Sequence, residues 1–165
     1  MSYAEKRLAK EYKNMLQEPI EGIEVHPSCP YDFFSWDCSI VGPKNTCYEN
    51  SVLYARISFP KNYPFYPPEI IFISKTFHPN IFPDGRVCLD FLRRYGEVRR
   101  AREGVEEYWL PSITISGVLL SLLYLLEEPC VERPANAEAA SLWESNRDLY
   151  NDRVKAMIRE NAEMR

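Results

Sequence analysis

FHPNIFPDGRVCLD, residues 77 to 90, is the stretch around which the remaining chain can be arranged. Pro79 and Pro83 each fix φ and remove a backbone donor, so the segment can continue neither a helix nor a central strand. An ordered, irregular loop is expected. Asp84-Gly85 supplies a tight turn that folds the chain back and brings Val87-Cys88-Leu89 towards His78-Pro79-Asn80. The thiol of Cys88 and the primary amide of Asn80 then face each other on a preshaped rim.

Upstream of this loop the chain reads as strands. Ile23 to Val25 is a short run after Gly22. Phe34, Trp36, Cys38 and Ile40 alternate with Ser35, Asp37 and Ser39, a period of two that suits a half-buried strand. Beyond the turn signals Gly42-Pro43 and Lys44-Asn45, the residues Leu53, Ala55, Ile57 and Phe59 alternate with Val52, Tyr54, Arg56 and Ser58. Ile70 to Ile73 gives a fourth strand. Short connections imply an antiparallel meander rather than parallel crossovers. Cys38, on the apolar face, reads as a core residue. Tyr63 to Pro68, with three prolines in six residues, is a rigid connector. Pro64 and Phe65 would present a preformed apolar knob on it, because an exposed aromatic on a stiff loop loses little entropy on binding.

Helical spacing occupies both ends. Ser2-Tyr3-Ala4-Glu5 has the form of a capping box, and Ala4, Leu8, Tyr12, Met15 and Leu16 recur at helical spacing until Pro19. Lys6, Arg7, Lys10 and Lys13 carry the opposite side, most simply a solvated face. Thr114 suits the N-cap of Ile115 to Leu126, which is apolar nearly all round and so is expected to be buried on most sides. Leu120 and Tyr124 share one face of it and read first as core contacts. Asn136 caps an Ala-rich start, and Tyr150, Val154, Met157 and Ile158 continue as a final amphipathic helix ending in a frayed RENAEMR tail. The sum is an α+β chain: an N-terminal helix, a four-stranded antiparallel meander, the loop, then central and C-terminal helices.

A length of 165 residues suits one domain spanning 1–165. With 45% hydrophobic and 27% charged residues, the composition is ordinary for a soluble globular protein. A net charge of −4 argues against nucleic-acid binding by a basic surface. The most apolar run, Ile113 to Leu126, falls short of the roughly 20 residues a spanning helix needs, so no direct membrane insertion is expected. The N-terminus, MSYAEKRLAKEYK, lacks an apolar signal-peptide core. Cys29, Cys38, Cys47, Cys88 and Cys130 are odd in number and without paired short spacings, which argues against a disulfide framework or a CxxC zinc site and favours a reducing cytosol. No metal or organic cofactor is implied.

Between Cys88 and Trp109, Arg93 to Glu107 is densely charged: Arg93, Arg94, Arg99, Arg100 and Arg102 face Glu97, Glu103, Glu106 and Glu107. Such a loop is ordinarily solvated surface. Directly after a candidate nucleophile, an active-site lid is the stronger expectation.

His78-Pro79-Asn80 and Pro83-Asp84-Gly85-Arg86-Val87-Cys88-Leu89, with Tyr63-Pro64-Phe65-Tyr66-Pro67-Pro68 before them and Trp109-Leu110-Pro111 after, resemble the core signature of ubiquitin-conjugating enzymes, the E2 carriers. The likeness runs from Lys6 to about Arg153. It is greatest to the branch with a loop insertion after the catalytic cysteine, associated with degradation of misfolded endoplasmic-reticulum proteins. The resemblance implies a UBC-like fold with an insertion at about 93–107. It implies that Cys88 accepts ubiquitin from an activating enzyme as a thioester and passes it to a substrate lysine with a RING-type ligase. The setting would be cytoplasmic, with recruitment to the endoplasmic-reticulum surface by partners. Activating-enzyme and ligase contacts would fall on Lys6, Arg7, Lys10, Pro64, Phe65, Leu110, Pro111 and Ser112, and contacts to the carried ubiquitin on Leu120 and Tyr124. A carrier for another ubiquitin-like modifier and a non-catalytic ubiquitin-binding variant are the competing readings.

The residues bear on the chemistry independently of that likeness. A cysteine nucleophile ordinarily wants a nearby cation to lower its pKa, and His78 and Arg86 are local candidates. The only other histidine is His26, far upstream, so a dyad with a separate histidine is poorly supported. His78 and Pro79 read as support for the loop. If Cys88 receives an acyl group that is already activated, the site needs a neutral donor for the oxyanion formed when an amine attacks, and the Asn80 amide is one. Some features depart from the family pattern. The insertion is rich in arginine where the nearest branch is acidic, and Phe82 stands where some relatives carry a polar side chain. Arg133 stands where many have Asp or Ser to orient the incoming lysine, and Cys130 replaces an asparagine. Since arginine cannot accept a proton, lysine activation must come from a loop carboxylate such as Asp90 or Glu97, from the acceptor, or from a ligase-induced rearrangement.

Overall fold

The computed structural model describes residues 1–93 and 108–164, so the expected lid, apart from Arg93, lies outside the described residues. Helix α1 (Tyr3–Gln17) opens on Ser2, whose hydroxyl accepts from the Glu5 N–H while the Glu5 carboxylate accepts from the Ser2 N–H, so the capping box closes in both directions. Its buried stripe is Ala4, Leu8, Glu11 and Met15. Leu16, expected in that stripe, is exposed, and a glutamate fills the position that an apolar residue would ordinarily hold.

Strands β1 (Ile23–Cys29), β2 (Asp32–Val41), β3 (Val52–Ser58) and β4 (Glu69–Phe72) form the expected antiparallel meander in the order β1-β2-β3-β4. Trp36 pairs with Ile57, Cys38 with Ala55 and Ile40 with Leu53, which puts all six on the inner face. β1 is longer than its apolar run because Pro27, which cannot donate to a ladder, is tolerated in an edge strand, where the register slips between Pro27 and Cys29.

Among the described residues a 3-10 turn (Asp90–Leu92) and three further α-helices follow: α2 (Ile115–Glu127), α3 (Ala137–Ser145) and α4 (Arg147–Glu163). Thr114 and Asn136 cap the first two through side-chain oxygens that accept from Gly117 and Ala139 N–H. Asn146 closes α3 and caps α4, a break that the apolar spacing does not reveal. The tail is helical to Glu163 rather than frayed, because the Asn161 amide accepts from the Lys75 N–H and donates to the Lys75 carbonyl. Leu8 of α1, Trp36 and Ile57 of the sheet, Leu119 and Leu122 of α2 and Tyr150 of α4 share one apolar core. Each such fully buried side chain contributes about 1.5–3 kcal/mol relative to exposure. α2 is buried or half-buried from Ile115 to Leu126 at every residue but two: Leu120 is 54% exposed and Tyr124 66% exposed, which corrects the reading of that pair as core contacts. No described helix is long and apolar enough to cross a membrane.

Candidate active site

Residues 77 to 88 form an irregular hairpin laid on the edge of β4. Phe72 N–H donates to the Gly85 carbonyl and Val87 N–H to the Ile70 carbonyl, while Ile81 and Val87 pair across the hairpin. The turn needs its glycine: Gly85 has φ of +96°, and a Cβ there would come within 2.3 Å of the Phe72 carbonyl oxygen. The Cys88 N–H then donates to the Asn80 carbonyl at 2.8 Å, joining the two halves of the motif through the main chain.

Each residue of Phe77-His78-Pro79-Asn80 is fastened to a different part of the fold. Tyr48 and Tyr150 hydroxyls donate to the Phe77 carbonyl. The Pro79 carbonyl accepts from Ala135 N–H at 2.8 Å and Asn136 N–H at 3.0 Å. Asn80 is buried, and its amide forms a two-bond ring with one residue: Nδ2 donates to the Cys130 carbonyl at 2.7 Å and Oδ1 accepts from the Cys130 N–H at 2.8 Å. Cys130, to which sequence attached no role, thus anchors the amide through its backbone.

His78 is fully buried between α2 and its own loop. Its Nδ1 accepts from Asn80 N–H at 3.0 Å, which fixes the tautomer and leaves Nε2–H to donate to the Leu125 carbonyl at 2.8 Å. Burial lowers its pKa to about 4, the Leu125 bond opposing only in part. Both ring nitrogens are therefore committed, and neither is open to a thiol.

Arg86 turns its guanidinium onto Asp84 at 2.8 Å and over the Phe82 ring at 4.8 Å. Hydrogen bonds from the Arg86 backbone and side chain hold the Asp84 carboxyl below its ordinary range. Arg133 is exposed in a left-handed conformation, φ +49°, on the segment between the Cys130 and Ala135 anchors.

The five cysteines differ in setting. Burial pushes Cys38 up to about 12 and Cys47 up to about 11, out of reach of thiolate chemistry at neutral pH, whereas Cys88 is exposed on the hairpin rim. Cys29 is exposed at the end of β1, among none of the groups that surround Asn80.

The expected partner-contact residues divide. Lys6 and Lys10 are exposed on α1; Phe65, 62% exposed, stacks on Tyr3 with centroids 5.9 Å apart; Leu110 is 48% exposed, beside exposed Pro111 and Ser112. Pro64 is not part of this surface. It is buried behind a cis Tyr63–Pro64 bond, and its carbonyl accepts from Trp109 Nε1 at 2.6 Å. Arg7 is largely withdrawn as well: its Nη2 donates to the Pro111 carbonyl at 2.9 Å and the Ile113 carbonyl at 3.3 Å. Trp109 N–H also donates to the Arg93 carbonyl at 2.7 Å, so the chain leaves for residues 94–107 and returns at one point. Among the described residues no cluster of three or more His, Cys, Asp or Glu could hold a metal ion.

Sequence reasoning missed Glu11. Only its place in the run Ala4, Leu8, Glu11, Met15 could have flagged it, a charge set at core spacing.

A family model described as ubiquitin-conjugating enzyme matches residues 7–158. The chain is 38% identical to ubiquitin-conjugating enzyme E2 13 of Arabidopsis thaliana, with 95% of each chain covered. It is 39% identical to ubiquitin-conjugating enzyme E2 G2 of Homo sapiens, with 93% of each covered. The E2-18 kDa enzyme of Schizosaccharomyces pombe is 38% identical over the same share of both chains. A helix, a four-stranded meander, a braced HPN loop with an exposed cysteine and a match over most of the sequence agree, and the chain belongs to the ubiquitin-conjugating enzyme (E2) family.

Proposed function

We propose that Cys88 is the acyl carrier of this enzyme. Its thiolate attacks the thioester carbonyl of ubiquitin on an activating enzyme; the bond to Cys88 sulfur forms and the activating enzyme's cysteine leaves as thiolate. A lysine amine then attacks the same carbonyl, the new C–N bond forms, the C–S bond breaks, and Cys88 returns as thiolate while the amine loses its proton. The observation that carries this reading is the exposed Cys88 whose own N–H is bonded to Asn80 in a loop held at four successive residues. One Nδ2 hydrogen of Asn80 is committed to Cys130; the other is the donor assigned here to the oxyanion. His78 and Pro79 act by holding the loop.

In the same reading Lys6, Lys10, Phe65, Leu110, Pro111 and Ser112 meet the activating enzyme and a RING-type ligase, and Leu120 with Tyr124 meets the carried ubiquitin. Their exposure supports those roles, since an apolar side chain left in water on a rigid element gains most from being covered. The work of this enzyme would lie in the cytoplasm, with recruitment to the endoplasmic-reticulum surface by partners.

The test is mass spectrometry after incubation with activating enzyme, ATP and ubiquitin. A thiol-sensitive adduct at Cys88, absent from Cys88→Ala, is expected; no adduct with ubiquitin but one with another modifier would reassign the cargo, and none with either would end the carrier reading.

A further inference from the structure

We propose that Glu11 is a positioning residue for partner docking, a single buried carboxylate that holds α1, the loop at Tyr63 and the loop at Leu110 to Ile113 together as one docking surface. The inference rests on the reading of Lys6, Lys10, Phe65 and Leu110 as partner contacts.

Glu11 is 6% exposed, in the core-facing stripe of α1. A carboxylate there costs several kcal/mol in lost hydration unless it is paired and hydrogen-bonded, and an apolar residue at the same place would cost nothing of the kind. What sets Glu11 apart is where its partners come from. Its Oε2 accepts from the Tyr63 hydroxyl; its Oε1 accepts from Ile115 N–H at 3.2 Å and faces the Arg7 guanidinium at 3.5 Å. Ile115 is the first residue of α2, where the helix leaves backbone donors without intrahelical acceptors.

Arg7 extends the same connection to the carbonyls of Pro111 and Ile113, and its guanidinium lies 5.8 Å from the centre of the Tyr63 ring. Three segments distant in sequence thus converge on one carboxylate. The Trp109 Nε1 bond to the Pro64 carbonyl ties the two loops to each other, and Glu11 with Arg7 ties both of them to α1. The tips they present are Phe65, two residues past Tyr63, and Leu110, next to Pro111. A partner that covers both tips together with Lys6 and Lys10 needs the helix at a fixed place beside the loops, and Glu11 is the group that joins them.

Glu11→Gln keeps the shape but removes the charge facing Arg7 and sets an amide NH2 against Tyr63, whose hydroxyl must then accept and loses the carboxylate to which it donates. In steady-state charging by the activating enzyme, the full-length variant is expected to raise KM on the order of tenfold, as loss of a hydrogen bond to a charged group does, with kcat near wild type. Discharge of preformed thioester to free lysine, which needs no docking partner, should keep its rate. Tyr63→Phe, which deletes one donor and leaves the ring, should raise KM in the same direction by less and serves if Glu11→Gln folds poorly. Lys10→Ala and Leu110→Ala report on the surface itself. If they raise KM while Glu11→Gln and Tyr63→Phe do not, positioning by Glu11 is overturned and the docking surface stands. If Lys10→Ala and Leu110→Ala leave KM unchanged, the docking surface falls and Glu11 with it. A fall in kcat alone, as expected from lost folded protein, also overturns the proposal.

Discussion

Protonating His78 should destabilise the folded protein. The ring is fully buried with both nitrogens bonded, and its pKa falls from the ordinary 6.5 to about 4. As pH drops through 6.5 the unfolded chain takes up a proton at His78, while the folded chain refuses it until near 4. The unfolded state therefore binds more protons across that window, and stability falls with falling pH. The whole effect amounts to about 3 kcal/mol, present in full above pH 6.5, and about 2 kcal/mol of it is gone by pH 5. The measurement is urea unfolding of wild type and His78→Gln between about pH 7.5 and about pH 5. Glutamine removes the titration and leaves every surface carboxylate in place, so the difference between the two proteins isolates His78. Wild type should be the more stable at the upper pH, with the gap narrowing by about 2 kcal/mol at the lower. A gap that stayed constant would mean that the folded protein protonates His78 as readily as the unfolded one does, and the buried neutral strut would be refuted.

Asn80→Ser removes both bonds to Cys130, so stability should drop by roughly 1–3 kcal/mol in the same urea assay. Charging of Cys88 should stay near wild type while single-turnover transfer to lysine slows by roughly 10²- to 10³-fold; equal loss in both steps would assign Asn80 to loop support alone. Gly85→Ala must adopt φ near +96° and meet the Phe72 carbonyl, so the urea midpoint should fall by an amount equivalent to roughly 1–3 kcal/mol, and an unchanged midpoint would refute the turn.

The repeating parts of this fold were legible because periodicity reports burial. Trp36, Cys38 and Ile40 alternate in the sequence and point inward in the structure; Ser2 with Glu5, Thr114 and Asn136 announce helix starts that the structure contains. Where a side chain's fate depends on a tertiary neighbour, pattern was silent. α2 is apolar nearly all round, yet nothing in its spacing tells which apolar residues lack a neighbour, and Leu120 with Tyr124 proved to be the exposed pair. Pro64 and Phe65 are adjacent on one rigid loop, yet Pro64 is buried with its carbonyl bonded to Trp109 while Phe65 is exposed. Of the site, the main-chain approach of Cys88 to Asn80 could be read from two prolines and a turn. The ring between Asn80 and Cys130 could not, because it joins a side chain to backbone fifty positions away.

A common logic links the polar residues that this core does admit. Glu11, Ser51, Ser74, His78 and Asn80 are buried, and each bonds to main chain in a loop or near the end of an element: Ser51 to the Tyr48 carbonyl, Ser74 to Tyr54 N–H just past the last β3–β4 pair, His78 to Leu125 in the last turn of α2 and to Asn80, Asn80 to Cys130, Glu11 to Ile115 at the start of α2. Main-chain groups in an irregular segment keep their need for partners when water is removed, and a side chain must then supply what a neighbouring strand would have given. An HPN loop with two prolines nearby has few ways to bond to itself. The buried amide and imidazole are the consequence, and they also hold a reactive rim still without any regular element passing through it. The same argument explains why these polar groups stand beside loops rather than in the centre of the sheet, where Ile40 and Ile57 have backbone partners on both sides and side chains free to be apolar.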